Sequence, residues 1–322
     1  VPFIEVLIDG LYRGELISRM GQTSYGASQS TILLPTRRAC RSLRNAFVNS
    51  TEQKALLLPK ILPLGDLDDD DEPNNRLYEV EGAGSQTLSQ LRRQLMLSRL
   101  VIARDTADSN ESSEPRLRNL EHSLVLAHEL ATFLDQMQSA RIDFKKLNNL
   151  APDRYAQHWQ KILEFLRILV NHWPNILSEN KLLDIGEYRN LTIQNLGDRW
   201  TEHPPLTPVI AAGSTGSLPA TADLLSVISR LPSGMVVLPG LDLEMHDKDW
   251  SALGISHPQY GLKYLLNTIG ISREDVITWP SVSTEKYITK RQTLISDAMS
   301  PPGITESSQR RLAYSATYLR KF

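Results

Sequence analysis

Short apolar runs closed by Pro or Gly alternate along this chain with longer stretches of helical spacing, and the two kinds fall in different regions. Thr31-Ile32-Leu33-Leu34, stopped by Pro35, predicts a buried strand, because it is apolar throughout and too short for a helix. From Arg38 to Val48 the spacing turns helical, with Leu43, Ala46 and Phe47 on one side. A second apolar run, Ala55 to Leu58, leads through Pro59 to another, Ile61 to Leu64. The acidic run Asp68 to Glu72 then reads as a solvated loop.

Between about residues 86 and 200 the period changes to that of amphipathic helices. Leu88, Leu91 and Leu95 recur at helical spacing, as do Leu117, Leu120, Leu124, Ala131 and Leu134. A third set, Trp159, Ile162, Leu163, Leu166, Leu169, Val170 and Trp173, is expected to stop at Pro174. The polar stretch Asp105 to Pro115 reads as a loop between the first two. Asp184 with Glu187 three residues later resembles a helix-start capping pair. The region is expected to form a bundle of about four helices.

After residue 203 the short apolar runs return. His203-Pro204-Pro205 and Pro208 lead rigidly into a strand, Val209-Ile210-Ala211-Ala212, followed by the loop Gly213-Ser214-Thr215-Gly216-Ser217. A helix from about Pro219 to Arg230, with Pro in its first turn, and a strand, Met235 to Leu238, complete a βαβ unit, which implies parallel pairing. Asp275 to Trp279 is a candidate for one more strand, and His257-Pro258 for a helix start. No internal repeat at a solenoid period is present. The fold class is therefore α/β with a parallel sheet, residues 1–85 and 201–322 forming one domain and residues 86–200 a helical insertion.

Composition narrows this only slightly. The 322 residues are 41% hydrophobic and 22% charged, ordinary for a globular chain. No stretch approaches the ~20 apolar residues that span a bilayer, and the first residues lack a secretory layout, so no membrane partner and a cytoplasmic location are expected. Cys40 is the only cysteine, which excludes an internal disulfide and a cysteine-cluster metal site. Because the chain starts at Val1, we expect it to be a piece of a longer protein, and the polar tail after Thr284 to run toward a neighbour. A net charge of −2 argues against a purely electrostatic nucleic-acid binder but leaves room for a local basic groove.

Two strand-end loops carry candidate chemistry, since open parallel sheets bind ligands beyond the carboxyl ends of their strands. Gly213, Ser214, Thr215 and Gly216 could offer backbone amides to an anion, or could simply form a tight strand-to-helix turn. A phosphate-binding loop would end in Gly-Lys-Ser or Gly-Lys-Thr, and neither tripeptide occurs in the chain. The other loop is Pro35-Thr36-Arg37-Arg38, continued by Arg41 and Arg44; guanidinium forks match phosphate oxygens, although a solvated basic helix face would have the same pattern. The carboxylates of Asp66 to Glu72 are too dense and polar for a shaped acid/base site, and Asp242 fits a turn as well as a metal. His122 and His128, six apart, do not share a helix face, and no Gly-x-Ser-x-Gly elbow is present. No catalytic residue and no metal site is assigned.

Several runs resemble the AddB family in its alphaproteobacterial form. They are Ile32 to Leu43, Leu58 to Asp66, Pro208 to Ala222, Val236 to Asp242 and His257 to Leu262. AddB proteins are subunits of the AddAB helicase–nuclease, which processes double-strand DNA breaks for recombination, and are much longer than this chain. The resemblance implies a RecA-like (P-loop NTPase-like) domain of the superfamily 1 helicase 1A type, with a 1B-like helical insertion. The family's nuclease and iron–sulfur elements have no counterpart here, so no cofactor is expected. In a working motor the first strand leads to the phosphate loop and a later strand ends in Asp-Glu. Here the segment with Gly10, Gly14 and Gly21 has no lysine, and the later strand ends in Ala211-Ala212-Gly213. The resemblance thus implies an inactivated helicase-like domain that does not hydrolyse ATP. By position, Thr36, Arg37 and Arg38, with Arg41 and Arg44, would contact single-stranded DNA, and an AddA-like subunit would be the protein partner. Two other readings stay open: a scaffold that only docks that subunit, and an enzyme holding a nucleotide or phosphorylated substrate at Gly213 to Ser217.

Overall fold

The computed structural model describes residues 3–12, 27–50, 57–64, 86–108, 116–144, 146, 166, 168–277, 294–296 and 298–299. The chain divides into two compact units. One comprises Val1–Asp70, Gly197–Ser217 and Thr221–Phe322, and the other Asp71–Leu196 with Leu218–Ala220. Helix α1 (Phe3–Tyr12), strand β1 (Thr31–Leu34), helix α2 (Arg37–Asn49) and strand β2 (Lys60–Pro63) come first. Then follow β3 (Gln86–Thr87), α3 (Gln90–Asp108), α4 (Arg116–Ser139), a π-helical stretch (Ile168–His172), α5 (Trp173–Glu179), β4 (Leu182–Leu183) and α6 (Ile185–Glu202). β5 (Val209–Ala212), α7 (Pro219–Arg230), β6 (Gly234–Val237), α8 (Asp247–Ala252) and α9 (Tyr260–Ile269) complete the order.

In the first unit β2, β1, β5 and β6 form one sheet in that spatial order, and every pair is parallel. The inner strands explain their own sequences. Ile32, Leu33 and Leu34 of β1 and all four residues of β5 are buried, as expected for strands covered on both faces. Register aligns Ile61, Ile32 and Ile210 in one row, with Met235 next along it. On that face Ile32, Leu34, Ile61, Ile210 and Ala212 pack with Leu7, Ile8 and Leu11 of α1 and with Cys40, Leu43 and Phe47 of α2. Leu33, Val209 and Ala211 point the other way and are equally buried. α7 and α9 are tied together by Ser226 Oγ, which donates to Thr268 O at 3.3 Å, and by Arg230 Nη2, which donates to Ile269 O at 3.1 Å. The three strands foreseen at Thr31, Val209 and Met235 all form, the last one residue earlier than expected, and the apolar run Ile61 to Leu64 proves to hold a further strand, Lys60–Pro63. The further strand at Asp275 does not form in residues 275–277, where Asp275 instead accepts from Ser272 N and Oγ at 2.7 and 2.9 Å and folds the backbone into a turn. These two hydrogen bonds hold the Asp275 carboxyl below the usual carboxylate range.

The second unit corrects the helical reading at three points. Leu91 and Leu95 are not core: they are 68% and 47% exposed, and α3 turns Arg93, Leu97 and Val101 inward instead. The reason is a buried ion pair that a hydrophobic pattern cannot register. Arg93 Nη1 donates to Asp135 Oδ1 at 2.8 Å and Nη2 to Ala131 O at 3.0 Å. Its Nε lies 3.1 Å from Asp184 Oδ1, close enough for ion pairing but angled away from a hydrogen bond. Secondly, α3 runs helically to Asp108, so the first residues of the foreseen loop, Asp105 to Asp108, are helical. Thirdly, Pro174 does not stop a helix but sits in the first turn of α5, where its missing N–H costs little, directly after the π-helical stretch. On α4 the buried positions Ser123, Ala127, Leu130, Leu134 and Met137 recur at three and four residues, while Leu120 is exposed. The foreseen residues Ala55, Asp66 to Glu72, Gly14, Gly21, Trp159, Ile162 and Leu163 lie outside the described residues, as does most of the tail after Thr284.

Asp184 is the hub of this unit. It stands before α6, and its carbonyl accepts the first helical bond from Tyr188 N at 2.8 Å. Its fully buried carboxylate does not form the expected box with Glu187, which is exposed. Oδ2 accepts from Trp173 Nε1 at 2.8 Å and Gln138 Nε2 at 3.3 Å, and Oδ1 from Ile185 N at 2.8 Å. Four groups from α3, α4, α5 and α6 therefore meet on one carboxylate. β3 and β4 add a short parallel pair, Gln86 with Leu182 and Thr87 with Leu183. Among the described residues no helix is long and apolar enough to cross a membrane.

Removing one partner leaves the other charge buried and alone, so Asp184→Ala is expected to cost about 3–5 kcal/mol. Arg93→Ala is expected to cost a similar amount and the double variant far less than the sum, as measured by urea unfolding. Additive losses would show that the two residues act independently.

Candidate nucleic-acid interface

From β1 the chain moves outward to β2, and from β5 it moves outward in the opposite direction to β6. The strand order therefore reverses between β1 and β5, and in open parallel sheets the crevice beyond the carboxyl ends at such a point is the ligand position. Register pairs Leu33 with Ala211, and the two parallel neighbours end one residue later, at Leu34 and Ala212, on the same edge of the sheet. The two loops singled out in the sequence leave the sheet side by side at this reversal.

The Thr36 side begins α2. Thr36 is extended (φ −142°, ψ 155°), and its Oγ1 accepts from Ala39 N at 3.1 Å, closing the first helical turn. Cys40, Leu43 and Phe47 face the core, which leaves Arg38 and Arg41 exposed and Arg37 half-buried. Arg44 serves the fold instead, its Nη2 donating to Ile61 O of the edge strand β2 at 3.0 Å. The helix carries four arginines and no acidic residue. That arrangement is unfavourable in isolation. Arg37 and Arg38 sit at the helix end whose positive dipole favours anions, and Arg37, Arg41 and Arg44 are like charges at spacings of four and three. An anion bound at the first turn would reverse the sign of these terms.

The Gly213 side is closed. Gly213 takes a positive φ of 78°, gives its N–H to Val237 O at 2.9 Å and lies against the Phe3 ring, which a Cβ there would approach to 3.1 Å. Gly216, at φ 61°, is buried against Leu265 and donates its N–H to Ser214 Oγ at 3.3 Å. Both glycines thus serve a packed strand-to-helix turn, and their amides are already used. No carboxylate stands at the end of β5, since Ala211, Ala212 and Gly213 occupy it. The covering by Phe3 had no sequence signal, because Phe3 and Gly213 are far apart in the chain.

The remaining candidates resolve into fold chemistry. Asp242 Oδ1 accepts from Glu244 N and Met245 N at 3.0 and 2.9 Å, a turn rather than a metal ligand. Gln259 clamps the same loop, donating to Gly240 O at 2.9 Å and accepting from Asp242 N at 3.2 Å. His257 leads into α9 as foreseen: Nδ1 accepts from Gln259 N at 3.1 Å, so the proton is on Nε2, which donates to Met299 O at 2.7 Å. Buried Arg273, to which no sequence pattern pointed, donates to Asp242 O, Met245 O and Asp247 Oδ1 at 3.2, 2.8 and 2.6 Å and lies over the Trp250 ring at 4.7 Å. Among the described residues no group of three His, Cys, Asp or Glu is placed to hold a metal. No family model matches the chain, and no curated protein is significantly similar to it.

The arrangement at the start of α2 has a measurable signature. Thr36→Ala is expected to lower stability by about 1 kcal/mol, and Thr36→Ser to restore most of it. Arg38→Glu is expected to raise stability by about 0.3–1 kcal/mol at low salt, with the gain fading as salt is added. A loss of stability in Arg38→Glu would mean that the guanidinium has a structural partner.

Proposed function

We propose that the chain is a non-catalytic, RecA-like helicase-type region of an AddB-like subunit, holding single-stranded DNA while a helicase–nuclease partner processes a broken end for recombination. The observation that carries this reading is the exposed arginine pair, Arg38 and Arg41, beside a helix N-terminus at the reversal of a parallel sheet. A phosphodiester backbone suits both the guanidinium forks and the positive end of the helix dipole. The parallel four-stranded sheet is compatible with a RecA-like core.

The closed Gly213 turn supports a binding role over nucleotide turnover. Its glycine amides are spent on Val237 and Ser214, and the chain has no Gly-Lys-Ser/Thr to neutralise a triphosphate. Within the proposed site Arg38 and Arg41 make phosphate contacts, Arg37 lies at the crevice mouth, Thr36 sets the geometry of the turn, and Arg44 braces β2. A net charge of −2 provides no chain-wide attraction for DNA, so affinity rests on a local basic patch. The partner is an AddA-like motor subunit and the setting the cytoplasm.

The test is titration of a fluorescent single-stranded oligonucleotide over a range of salt. Arg38→Ala/Arg41→Ala is expected to weaken binding about tenfold or more and to lower the salt slope by about 1 to 2. The midpoint of thermal unfolding should not fall, and relief of like-charge repulsion should raise it slightly at low salt. Equal affinity and slope in the double variant would move the DNA site elsewhere, and a wild-type protein with no single-strand affinity would favour a scaffold that only docks the motor subunit.

A further inference from the structure

β2 turns its backbone groups alternately toward β1 and away from it. Lys60 N donates to Ser30 O at 3.0 Å and Leu64 N to Leu34 O at 2.7 Å, so these two residues face β1. Direction alternates along a strand, and Leu62 therefore faces β1 as well. By the same alternation Pro59, Ile61 and Pro63 present their backbone groups to the outer side. An outward row of free N–H and C=O groups on an apolar strand is a template for pairing with a second chain.

Each outward position is disabled in its own way. Pro59 and Pro63 have no N–H, so the donors that a ladder on this side would need there are missing. Pro63 stands within β2, opposite Leu34, and a proline inside a strand marks the side to which its nitrogen points as a rim. Ile61 keeps its N–H, but its carbonyl accepts from Arg44 Nη2 at 3.0 Å. That guanidinium reaches the strand from α2, which packs beside it, and Ile61 is only 2% exposed although it stands on the rim. An incoming strand would have to displace a charged donor, whose hydrogen bond is roughly twice as strong as one between neutral groups.

We propose that Pro59, Pro63 and Arg44 together close the β2 rim to strand addition, and that the chain they exclude is a second copy of this one. Ile61 is self-complementary. With its carbonyl released, two antiparallel copies of β2 about a twofold axis would exchange the N–H and C=O of Ile61 reciprocally. A protein partner that docks by adding a strand is directed to other surfaces of the unit. Arg44 thereby has a task that involves no anion, and the assignment stands independently of the DNA reading.

Two measurements test it. In Pro63→Val the backbone N–H gained at position 63 is expected to exchange with solvent at least about tenfold faster than that of Leu62, which is directed at β1. Equal protection of the two would put a partner on the outer side and overturn the proposal. Arg44→Ala/Pro59→Val/Pro63→Val opens the whole row. In sedimentation velocity over a range of concentration this triple variant is expected to associate at least about tenfold more tightly than the wild type, and Arg44→Ala alone to associate less than the triple variant. The Ile61 amide of the triple variant should gain protection as its concentration rises. A folded triple variant that sediments as the wild type does overturns the proposal, and so does association that leaves the Ile61 amide unprotected. The exchange measurement on Pro63→Val decides the matter even where the triple variant does not fold.

Discussion

Everything in the first unit depends on one pairing, that of β1 with β5. The two strands are separated in sequence by Asp71–Leu196 of the second unit, yet Thr31 aligns with Val209 and Leu33 with Ala211. Bringing such distant segments together costs loop-closure entropy, which is offset by burial of Ile32, Leu33 and Leu34 together with all of β5. The same pairing sets the reversal of strand order, and with it the place where a ligand would meet the protein. A shift of one residue in this register would turn Ile32 and Ile210 out of the shared cluster.

How the sequence encodes these features differs by element. β1, α2, β5 and α7 were legible because each is a closed local pattern: an apolar run ended by Pro35 or Gly213, a helix capped at Thr36 or opened by Pro219. The leucines of α3 misled for the opposite reason. Their spacing is helical, but the inward face was decided by Arg93, whose partners Asp135 and Asp184 are remote in sequence. A buried ion pair inverts the usual rule that charge points outward, and no periodicity can announce it. Pro174 misled more mildly, since a proline that ends one helix and a proline that opens another look alike until the preceding turn is known.

The site was legible in part. The arginines of α2 stood out by type and spacing, and their nearness to the Gly213 loop follows from the register. The division of labour among them did not. Arg44 differs from Arg41 only in its reach to Ile61 O, which depends on where β2 lies. Likewise, the Gly213 loop has a composition suited either to holding an anion or to turning tightly, and the placement of Phe3 and Leu265 selects the turn.

Arg273 bears on how the molecule can be divided. It stands beyond α9, yet its guanidinium gathers the carbonyls of Asp242 and Met245, the carboxylate of Asp247 and the face of Trp250. The ridge between β6 and α9 is thus fastened from behind by a residue that follows both in the chain. A shortened version of this domain that stopped at the glycine ending α9, Gly270, would keep every strand and helix of the sheet while releasing that ridge. A cut or fusion made before Arg273 would therefore unfasten the ridge.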